Sequence, residues 1–227
     1  MDMKTQLPNG FDAAINTDPA HSEGNGLPGN LFMGELKHPE HSVLRTAMLP
    51  PYPKGCEVVL LGMGCFWGAE RRIWQLAGVH TTAVGYAGGV HINPDYQRVC
   101  TGQTGHAEVV LVVYRPSELE FARLLQVFFE AHDPTQGMRQ GNDIGSQYRS
   151  AIYTTLRTQT EVARQVAIDY EAALRDSGYP ALTTEIRERC TFYFAEPYHQ
   201  QYLAKNPNGY CGLRGTGVSC PVPNLTV

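Results

Sequence analysis

Short apolar runs alternate with amphipathic stretches along the chain from residue 57 onward. Residues 58–61 form an apolar run with β-branched members, which predicts a buried strand. A second, longer strand is predicted over residues 106–114, and one or two further strands over residues 183–194. Strands of this kind, separated by helical segments, predict an α/β domain.

Three helices are predicted around these strands. The first is amphipathic and covers about residues 66–76. Ser117 and Glu120 have the spacing of a capping box, and the apolar residues that follow at helical spacing are Phe121, Leu124, Leu125 and Phe128. Thr158 and Glu161 repeat this signature ahead of an apolar stripe formed by Val162, Val166, Tyr170 and Leu174.

The two ends of the chain differ in composition from the middle. Residues 1–55 are rich in proline, glycine and asparagine and have no sustained apolar periodicity. We therefore expect an N-terminal extension over residues 1–55 that packs on or near the domain. The α/β domain itself is expected over residues 56–204, followed by a coil-like, glycine-rich tail over residues 205–227.

Composition and charge narrow the class of protein. The chain has 227 residues, of which 42% are hydrophobic, and its formal net charge is −4. Lysine and arginine do not cluster, which argues against nucleic acid as a partner. No apolar stretch approaches the roughly 18 residues of a membrane helix, and residues 1–6 lack the apolar core of a signal peptide. We expect a cytoplasmic monomer with reduced thiols and no membrane partner.

Cys65 lies where a predicted strand turns into a predicted helix, within the segment Gly64-Cys65-Phe66-Trp67-Gly68. The first turn of a helix offers unpaired N–H groups and the positive end of the helix dipole, and both stabilise a thiolate. A free cysteine with a pKa near 8.5 is only about 3% ionised at pH 7, so this position favours a reactive thiol. The alternative is a buried structural cysteine among core aromatic residues.

Two further cysteines, Cys211 and Cys220, belong to the glycine-rich tail, where the intervening residues allow the chain to fold back. Such a pair can reach the roughly 4.4–6.8 Å Cα separation of a disulfide, which in a reducing compartment indicates thiol exchange. No metal site is expected, because neither C-x2-C nor H-x3–5-H spacing occurs. The remaining cysteines stand alone and are interpreted as small buried hydrophobic residues: Cys56, Cys100 and Cys190.

A nucleophilic cysteine with two mobile partners is typical of a thiol-dependent reductase, in which attack, resolution and recycling follow one another. A cysteine hydrolase or acyltransferase would instead pair Cys65 with a basic histidine and would leave the tail cysteines without a role. A non-catalytic redox sensor or binding protein is the third hypothesis. The histidines available to a hydrolase are His80, His91, His106, His132 and His199.

The segment around Cys65 resembles the signature of the A-class peptide methionine sulfoxide reductases, in their three-cysteine bacterial form. The resemblance extends in order from about residue 57 to residue 220. The other motifs that carry it are Gly85-Tyr86-Ala87-Gly88-Gly89, Asn93-Pro94-Asp95-Tyr96, Thr104-Gly105-His106-Ala107-Glu108, His132-Asp133-Pro134-Thr135-Gln136, Gly141-Asn142-Asp143, Gln147-Tyr148-Arg149-Ser150, His199-Gln200-Gln201-Tyr202-Leu203 and Asn206-Pro207-Asn208-Gly209-Tyr210-Cys211.

The resemblance implies that residues 56–204 are a catalytic α/β (α+β) domain, a two-layer sandwich with a mixed sheet and a ferredoxin-like core. It implies an enzyme that reduces the S epimer of methionine sulfoxide, free or in proteins, and so repairs oxidative damage. It also implies that no cofactor is bound, because the reducing equivalents come from thioredoxin.

The resemblance also assigns roles to single residues. Cys65 would be the nucleophile and Glu108 the acid that protonates the departing oxygen, which requires burial to raise the pKa of that carboxyl group. The other implied site residues are the hydrogen-bond donors Tyr96 and Tyr148, the pocket organiser Asp143, and the aromatic enclosure of the substrate's methyl group, Phe66 and Trp67.

A relay of cysteines completes the implied mechanism. Attack leaves Cys65 as a sulfenic acid, Cys211 condenses with it, Cys220 takes over the bridge to Cys211, and thioredoxin reduces that last disulfide. Ser219 stands between Val218 and Cys220, whereas three-cysteine members have the cysteine directly after the Gly-Val pair. One added residue changes the closure of a short loop little. If Cys220 is not the recycling residue, the Cys65–Cys211 disulfide is the substrate of thioredoxin.

Overall fold

The computed structural model describes residues 32–34 and 36–222, so the expectations for residues 1–31 and 223–227 lie outside the described residues. The strands are β1 (Phe32–Met33), β2 (Glu57–Met63), β3 (Val79–Ala87), β4 (Ala107–Tyr114), β5 (Arg139–Gln140), β6 (Asp143–Ile144), β7 (Ser150–Thr154), β8 (Glu185–Glu188) and β9 (Phe192–Phe194). The helices are α1 (Phe66–Trp74), α2 (Tyr96–Cys100), α3 (Phe121–Ala131), α4 (Arg157–Asp176) and α5 (Tyr202–Lys205), with a 3-10 turn at Ser146–Tyr148. None of the helices in this part of the chain has the length and apolarity needed to cross a membrane.

Seven of these strands form one sheet in the order β1-β9-β3-β4-β2-β7-β8. The four central strands, β3, β4, β2 and β7, are antiparallel throughout. In the chain, α1 lies between β2 and β3, and α3 lies between β4 and β7. This arrangement is the split βαβ unit of a ferredoxin-like core. The parallel pairs β1–β9 and β7–β8 make the sheet mixed, so the predicted fold class is confirmed.

Both faces of the central strands are covered. One face packs against α1, α3 and α4 through alternate residues such as Val59 and Leu61. The opposite face, which includes Val58, packs against Met48 and other apolar residues of the segment 32–56 and against strand β9. Burial on both faces explains why β2 and β4 are continuous apolar runs rather than alternating ones.

The predicted strands and helices are confirmed, but the capping box proposed for α3 is wrong. This helix begins at Phe121 with Glu120 at its N-cap, and no side chain caps it. Ser117 belongs to a separate turn, in which the carbonyl of Arg115 accepts a hydrogen bond of 2.9 Å from the amide of Leu119. This turn occupies the backbone that the capping box would need.

The capping box proposed for α4 is also wrong. The helix begins at Arg157 with Leu156 at its N-cap, so Thr158 lies inside the first turn. The side chain of Gln159 serves the helix start instead, because its Oε1 accepts from the amides of Thr155 at 3.0 Å and Leu156 at 3.3 Å. The helix therefore starts one residue before the predicted cap.

The sequence pattern does not predict β3, β7, α2 or α5. Strand β3 consists largely of threonine, alanine and glycine, yet it is buried at every position except His80. Helices α2 and α5 have five and four residues, which is too short for an apolar periodicity. These elements depend on tertiary packing.

Arg149 joins several of these elements next to the sheet. Its Nε donates to Glu185 at 2.7 Å, and its other nitrogens donate to the hydroxyl of Tyr153 at 2.9 Å and to the carbonyls of Gly105 at 3.0 Å and Ser146 at 2.8 Å. Only 8% of the Arg149 side chain is exposed. One guanidinium group thus links β7, β8, the loop before β4 and the 3-10 turn.

We expect Arg149→Met to lower the free energy of unfolding by about 1.5–3 kcal/mol, because it removes a charged donor from Glu185 and from the buried hydroxyl of Tyr153, although Arg187 still pairs with Glu185 at 3.0 Å. The matched control is Arg157→Met, which removes an ion pair to Glu161 whose arginine side chain is 86% exposed. This control should cost less than about 1 kcal/mol. Urea unfolding of both variants measures the difference, and equal losses would contradict the structural role of Arg149.

Candidate active site

The strand register brings the predicted site residues to one edge of the sheet. Strand β2 is antiparallel to both β4 and β7. Its last residue, Met63, pairs with Ser150, the first residue of β7, so Cys65 follows β2 at the edge where Tyr148 precedes β7. Glu108 lies at the start of β4, which is at the same edge. Residues distant in sequence therefore converge.

A cavity of about 150 Å³ lies at this edge. Pockets for drug-sized ligands have roughly 300–1,000 Å³, so this cavity suits one small group, such as the end of a side chain. The cavity is lined by all of the residues predicted for catalysis and methyl binding, which are Cys65, Phe66, Trp67, Tyr96, Glu108, Asp143 and Tyr148. Tyr210, which was not predicted, also lines it.

Cys65 is the N-cap of helix α1 and is partly exposed. Burial raises the pKa of its thiol well above the ordinary value, and the neighbouring carboxyl of Glu108 raises it further. The amides of Trp67 and Gly68 lower the pKa, as expected for a helix N-terminus, but they are outweighed. The lowering expected from the helix N-terminus is therefore present, but the effects of burial and of Glu108 on the thiol pKa are larger.

Glu108 is 2% exposed, and its Oε2 accepts a hydrogen bond of 3.0 Å from the amide of Phe66. Burial raises the pKa of this carboxyl to about 8, and Asp143 adds to the rise, whereas the Phe66 amide lowers it. No cation among the described residues forms a salt bridge with it. Glu108 consequently keeps its proton at neutral pH, beside the sulfur of Cys65.

Two tyrosines, Tyr96 and Tyr148, line the same cavity. Tyr96 is the first residue of α2, and its amide donates to Glu196 at 2.8 Å. Tyr148 ends the 3-10 turn. Burial raises the pKa of both hydroxyls, so both remain donors at neutral pH. Asp143 accepts from the hydroxyl of Tyr210 at 3.1 Å.

The indole of Trp67 is held from two sides. Its Nε1 donates to Nδ1 of His199 at 3.0 Å, and its ring stacks on Tyr202 with centroids 3.8 Å apart. Phe66 is buried and packs against His199 at 5.0 Å between centroids. The cavity therefore has a fixed aromatic wall beside the sulfur.

Cys211 lies over the first turn of α1. A Cβ atom added to Gly68 would come within 2.9 Å of the Cys211 Sγ, so only glycine leaves room for this contact. Cys211 is exposed and free. Cys211 therefore contacts α1 at Gly68, which lies three residues after Cys65 in the chain.

Cys220 lies elsewhere, buried against α3 and α4. It is 2% exposed, and its amide donates to Glu130 at 2.9 Å. The preceding tail is held by Thr216, whose Oγ1 is 2.9 Å from the hydroxyl of Tyr170 and whose carbonyl accepts from Tyr179 at 2.8 Å. Burial raises the pKa of the Cys220 thiol to about 12. All six cysteines are free, and only Cys211 of the tail pair is accessible.

The described lining of the cavity contains no histidine, which removes the base that a cysteine hydrolase would need. The closest one, His199, is committed to Trp67 through Nδ1, and burial lowers its pKa to about 4. The other candidates form hydrogen bonds outside the cavity: His80, His91, His106 and His132. Among the described residues, no group of three or more histidine, cysteine or acidic side chains is arranged to hold a metal.

Sequence reasoning missed several residues of the site. Tyr210 directly precedes Cys211, and that adjacency was the available signal. Glu196 bridges the hydroxyl of Tyr86 at 2.9 Å and the amide of Tyr96, but nothing in its sequence surroundings indicates this. Tyr202 stacks on Trp67, but the motif His199-Gln200-Gln201-Tyr202-Leu203 does not indicate this contact.

Comparison with known proteins gives one consistent family. The family profile described as peptide methionine sulfoxide reductase matches residues 57–219, ending directly before Cys220. A peptide methionine sulfoxide reductase MsrA of Rhodospirillum centenum is 61% identical over 202 residues, which cover 88% of this chain and 90% of that protein. The mitochondrial peptide methionine sulfoxide reductase of Homo sapiens is 58% identical over 183 residues, or 81% of this chain and 78% of that protein.

Solved structures agree with this result. Methionine sulfoxide reductase A of Corynebacterium diphtheriae matches with a TM-score of 0.73 and 47% identity, covering 83% of this chain and 92% of that one. Mxr1 from Saccharomyces cerevisiae in reduced form matches with a TM-score of 0.67 and 33% identity, covering 75% of this chain and 99% of that one.

The buried carboxyl of Glu108 gives a prediction for stability against pH. Its pKa is about 8 in the folded protein, against about 4.3 for an unfolded glutamate, so folding favours the protonated form. Between these two values, the wild type should lose up to about 1.4 kcal/mol of stability per pH unit relative to Glu108→Gln, and the difference should level off above pH 8. Glutamine retains an acceptor for the Phe66 amide. Denaturant unfolding from pH 4 to 9 measures this.

The matched control for loss of a carboxylate is Glu188→Gln, at an exposed position of β8. Its stability curve should run parallel to that of the wild type. Parallel curves for the wild type and Glu108→Gln as well would contradict a protonated, buried Glu108.

Proposed function

The chain belongs to the peptide methionine sulfoxide reductase family, and from this premise we propose that it reduces the S epimer of methionine sulfoxide through Cys65. The observation that carries the proposal is the protonated Glu108 beside a thiol in a cavity of about 150 Å³. Oxide and hydroxide are poor leaving groups, so the S–O bond needs an acid at the oxygen. Trp67 and Phe66 provide an apolar wall for the neutral methyl group.

In the proposed first step, the sulfur of Cys65 attacks the sulfoxide sulfur, while the proton of Glu108 and the proton that leaves the thiol both go to the oxygen. The S–O bond breaks, the oxygen leaves as water, and a sulfonium in which Cys65 is bonded to the methionine sulfur remains; Tyr96 and Tyr148 donate hydrogen bonds to the oxygen as it leaves. Water then attacks the Cys65 sulfur and the S–S bond breaks, which releases methionine, leaves Cys65 as a sulfenic acid and returns a proton to Glu108. The cysteine is oxidised by two electrons as the sulfoxide is reduced by two.

The raised pKa of Cys65 fits this order of events. A thiolate next to an ionised Glu108 is unfavourable, but the same thiolate next to the protonated acid is not repelled by it. Asp143 contributes through its hydrogen bond with Tyr210, which orders the side of the cavity facing the tail. In this proposal the thiol of Cys65 loses its proton only during the reaction, when substrate is bound.

The cysteine relay follows in the proposal. The thiol of Cys211 condenses with the sulfenic acid, which forms the Cys65–Cys211 disulfide and releases water. Cys220 then attacks Cys211, and a thioredoxin dithiol reduces the Cys211–Cys220 bridge. The contact of Cys211 with Gly68 supports the first of these exchanges. The free cysteines suit a reducing compartment such as the cytoplasm, with the protein acting as a monomer.

The first test is NADPH consumption coupled to thioredoxin, with the S and R epimers of methionine sulfoxide supplied separately. We expect turnover of the S epimer alone, and we expect Cys65→Ser to reduce it at least about 1,000-fold, because the nucleophile is lost. Cys56→Ser, which changes a cysteine at the far end of strand β2, is the matched control and should retain activity. Equal turnover of both epimers, or full activity of Cys65→Ser, would refute the proposal.

The role of Cys220 is tested by Cys220→Ser. The variant should consume one equivalent of sulfoxide and then stop when thioredoxin is the reductant, because the relay ends at the Cys65–Cys211 disulfide. With dithiothreitol, which reduces that disulfide directly, turnover should continue. Rapid-quench measurement of methionine formed per enzyme gives the burst, and undiminished thioredoxin-coupled turnover would instead make Cys211 the only resolving cysteine.

A further inference from the structure

We propose that a buried network of Glu70, Gln201, Thr82 and His41 positions the Trp67 wall, which makes the segment 41–48 a functional part of the site. This inference rests on the proposed role of Trp67 in enclosing the substrate. Glu70 and His41 do not line the cavity, so they act through other residues. They are positioning residues rather than catalytic ones.

Glu70 lies on α1, one turn beyond Trp67 on the same side of the helix. The carboxyl group is fully buried and meets no cation at hydrogen-bond distance. It accepts three hydrogen bonds instead, from the hydroxyl of Thr82 at 3.0 Å and from the side-chain and backbone N–H groups of Gln201, both at 2.8 Å. A buried carboxyl group with this many donors is built into the fold.

Gln201 has a left-handed backbone, with φ 46° and ψ 43°, which is unfavourable for a residue that carries a Cβ atom. Glu70 stabilises this conformation because it binds both the amide and the side chain of Gln201. The residues on either side of this turn are the two supports of the indole. His199 accepts from Trp67, and Tyr202 stacks on it. The turn at Gln201 therefore decides whether both supports reach Trp67 together.

His41 connects the N-terminal segment to this turn. Its Nδ1 accepts from the amides of Val43 at 3.1 Å and Leu44 at 3.0 Å, so the proton is on Nε2. Nε2 lies 2.9 Å from the Oγ1 of Thr82, and that hydroxyl donates onward to Glu70. Burial lowers the pKa of His41 to about 4, in agreement with a neutral ring. The hydrogen bonds thus run in one direction, from the segment to the carboxyl group.

Residues of the same segment, 41–48, also form hydrogen bonds with the side chain of Gln201. The amide of Ser42 donates to its Oε1 at 3.3 Å, and its Nε2 lies 3.3 Å from the sulfur of Met48. All polar atoms of the Gln201 side chain are therefore satisfied by Glu70 and by residues 41–48. Removal of any link loosens the turn and, through His199 and Tyr202, the Trp67 wall.

The test combines steady-state kinetics with the fluorescence of Trp67. The chain has two tryptophans, so Trp74→Phe leaves Trp67 as the only emitter and keeps an aromatic ring against His41. In that background, Glu70→Gln should raise KM for the S sulfoxide about tenfold and change kcat less than about twofold. The reason is that an apolar wall contributes the same binding energy to the bound substrate and to the transition state. Acrylamide quenching of Trp67 should increase in the same variant.

Glu57→Gln is the matched control, because Glu57 also accepts from buried partners, at 2.7 Å from Tyr114 and 3.0 Å from Gln159, but far from Trp67. It should change neither KM nor quenching. Thr82→Val removes only the linking hydroxyl and should show the effects of Glu70→Gln in weaker form, so it decides the question if Glu70→Gln does not fold. Unchanged KM and unchanged quenching in a folded variant would overturn the network. If the wild type shows no sulfoxide reduction, the proposed function fails. Acrylamide quenching still tests whether the network keeps the indole of Trp67 in place.

Discussion

The contact between the carboxyl of Glu108 and the amide of Phe66 is the constraint on which the rest of the site depends. It joins the start of β4 to the first turn of α1 at 3.0 Å, in a place from which water is almost entirely excluded. Since no cation in the part of the chain that the structure describes compensates the carboxyl, it keeps its proton to higher pH, and an ionised Glu108 in turn raises the pKa of the Cys65 thiol. The cavity therefore disfavours two negative charges on this pair, and burial raises the pKa of Cys65 beyond the effect of Glu108.

This balance shows where reasoning from sequence reaches its limit. The position of Cys65 at a helix N-terminus predicts the direction in which the backbone amides act, and that direction is correct. The size of the opposing effect depends on burial and on the distance to Glu108, which lies 43 positions away in the chain. Local sequence contains neither quantity, so it cannot show that burial and Glu108 outweigh the helix N-terminus at Cys65.

The fold was predictable where one local signal dominated. The buried strands β2 and β4 and the helices α1, α3 and α4 follow from apolar runs and helical periodicity, and the ordered motifs gather the residues that line the cavity. The starts of α3 and α4 were not predictable, because the turn at Arg115 and the side chain of Gln159 compete with the capping boxes, whereas α1 begins at Phe66 as predicted. The hydrogen bond from Gln201 to Glu70 spans 131 positions, and no local pattern points to it. Strand β3 could not be predicted from an apolar run, because threonine, alanine and glycine occupy many of its buried positions.

The tail shows how one segment can impose an order on the proposed relay. Cys211 rests against Gly68 in the first turn of α1, the helix whose N-cap is Cys65. Cys220 is buried with a pKa of about 12, and the hydrogen bonds of Thr216 to Tyr170 and Tyr179 hold the chain between the two cysteines. Transfer of the disulfide to Cys220 therefore requires these hydrogen bonds to break first. In the proposed relay, the buried thiol of Cys220 is less available to a sulfenic acid than the exposed thiol of Cys211, which favours resolution by Cys211 before recycling by Cys220.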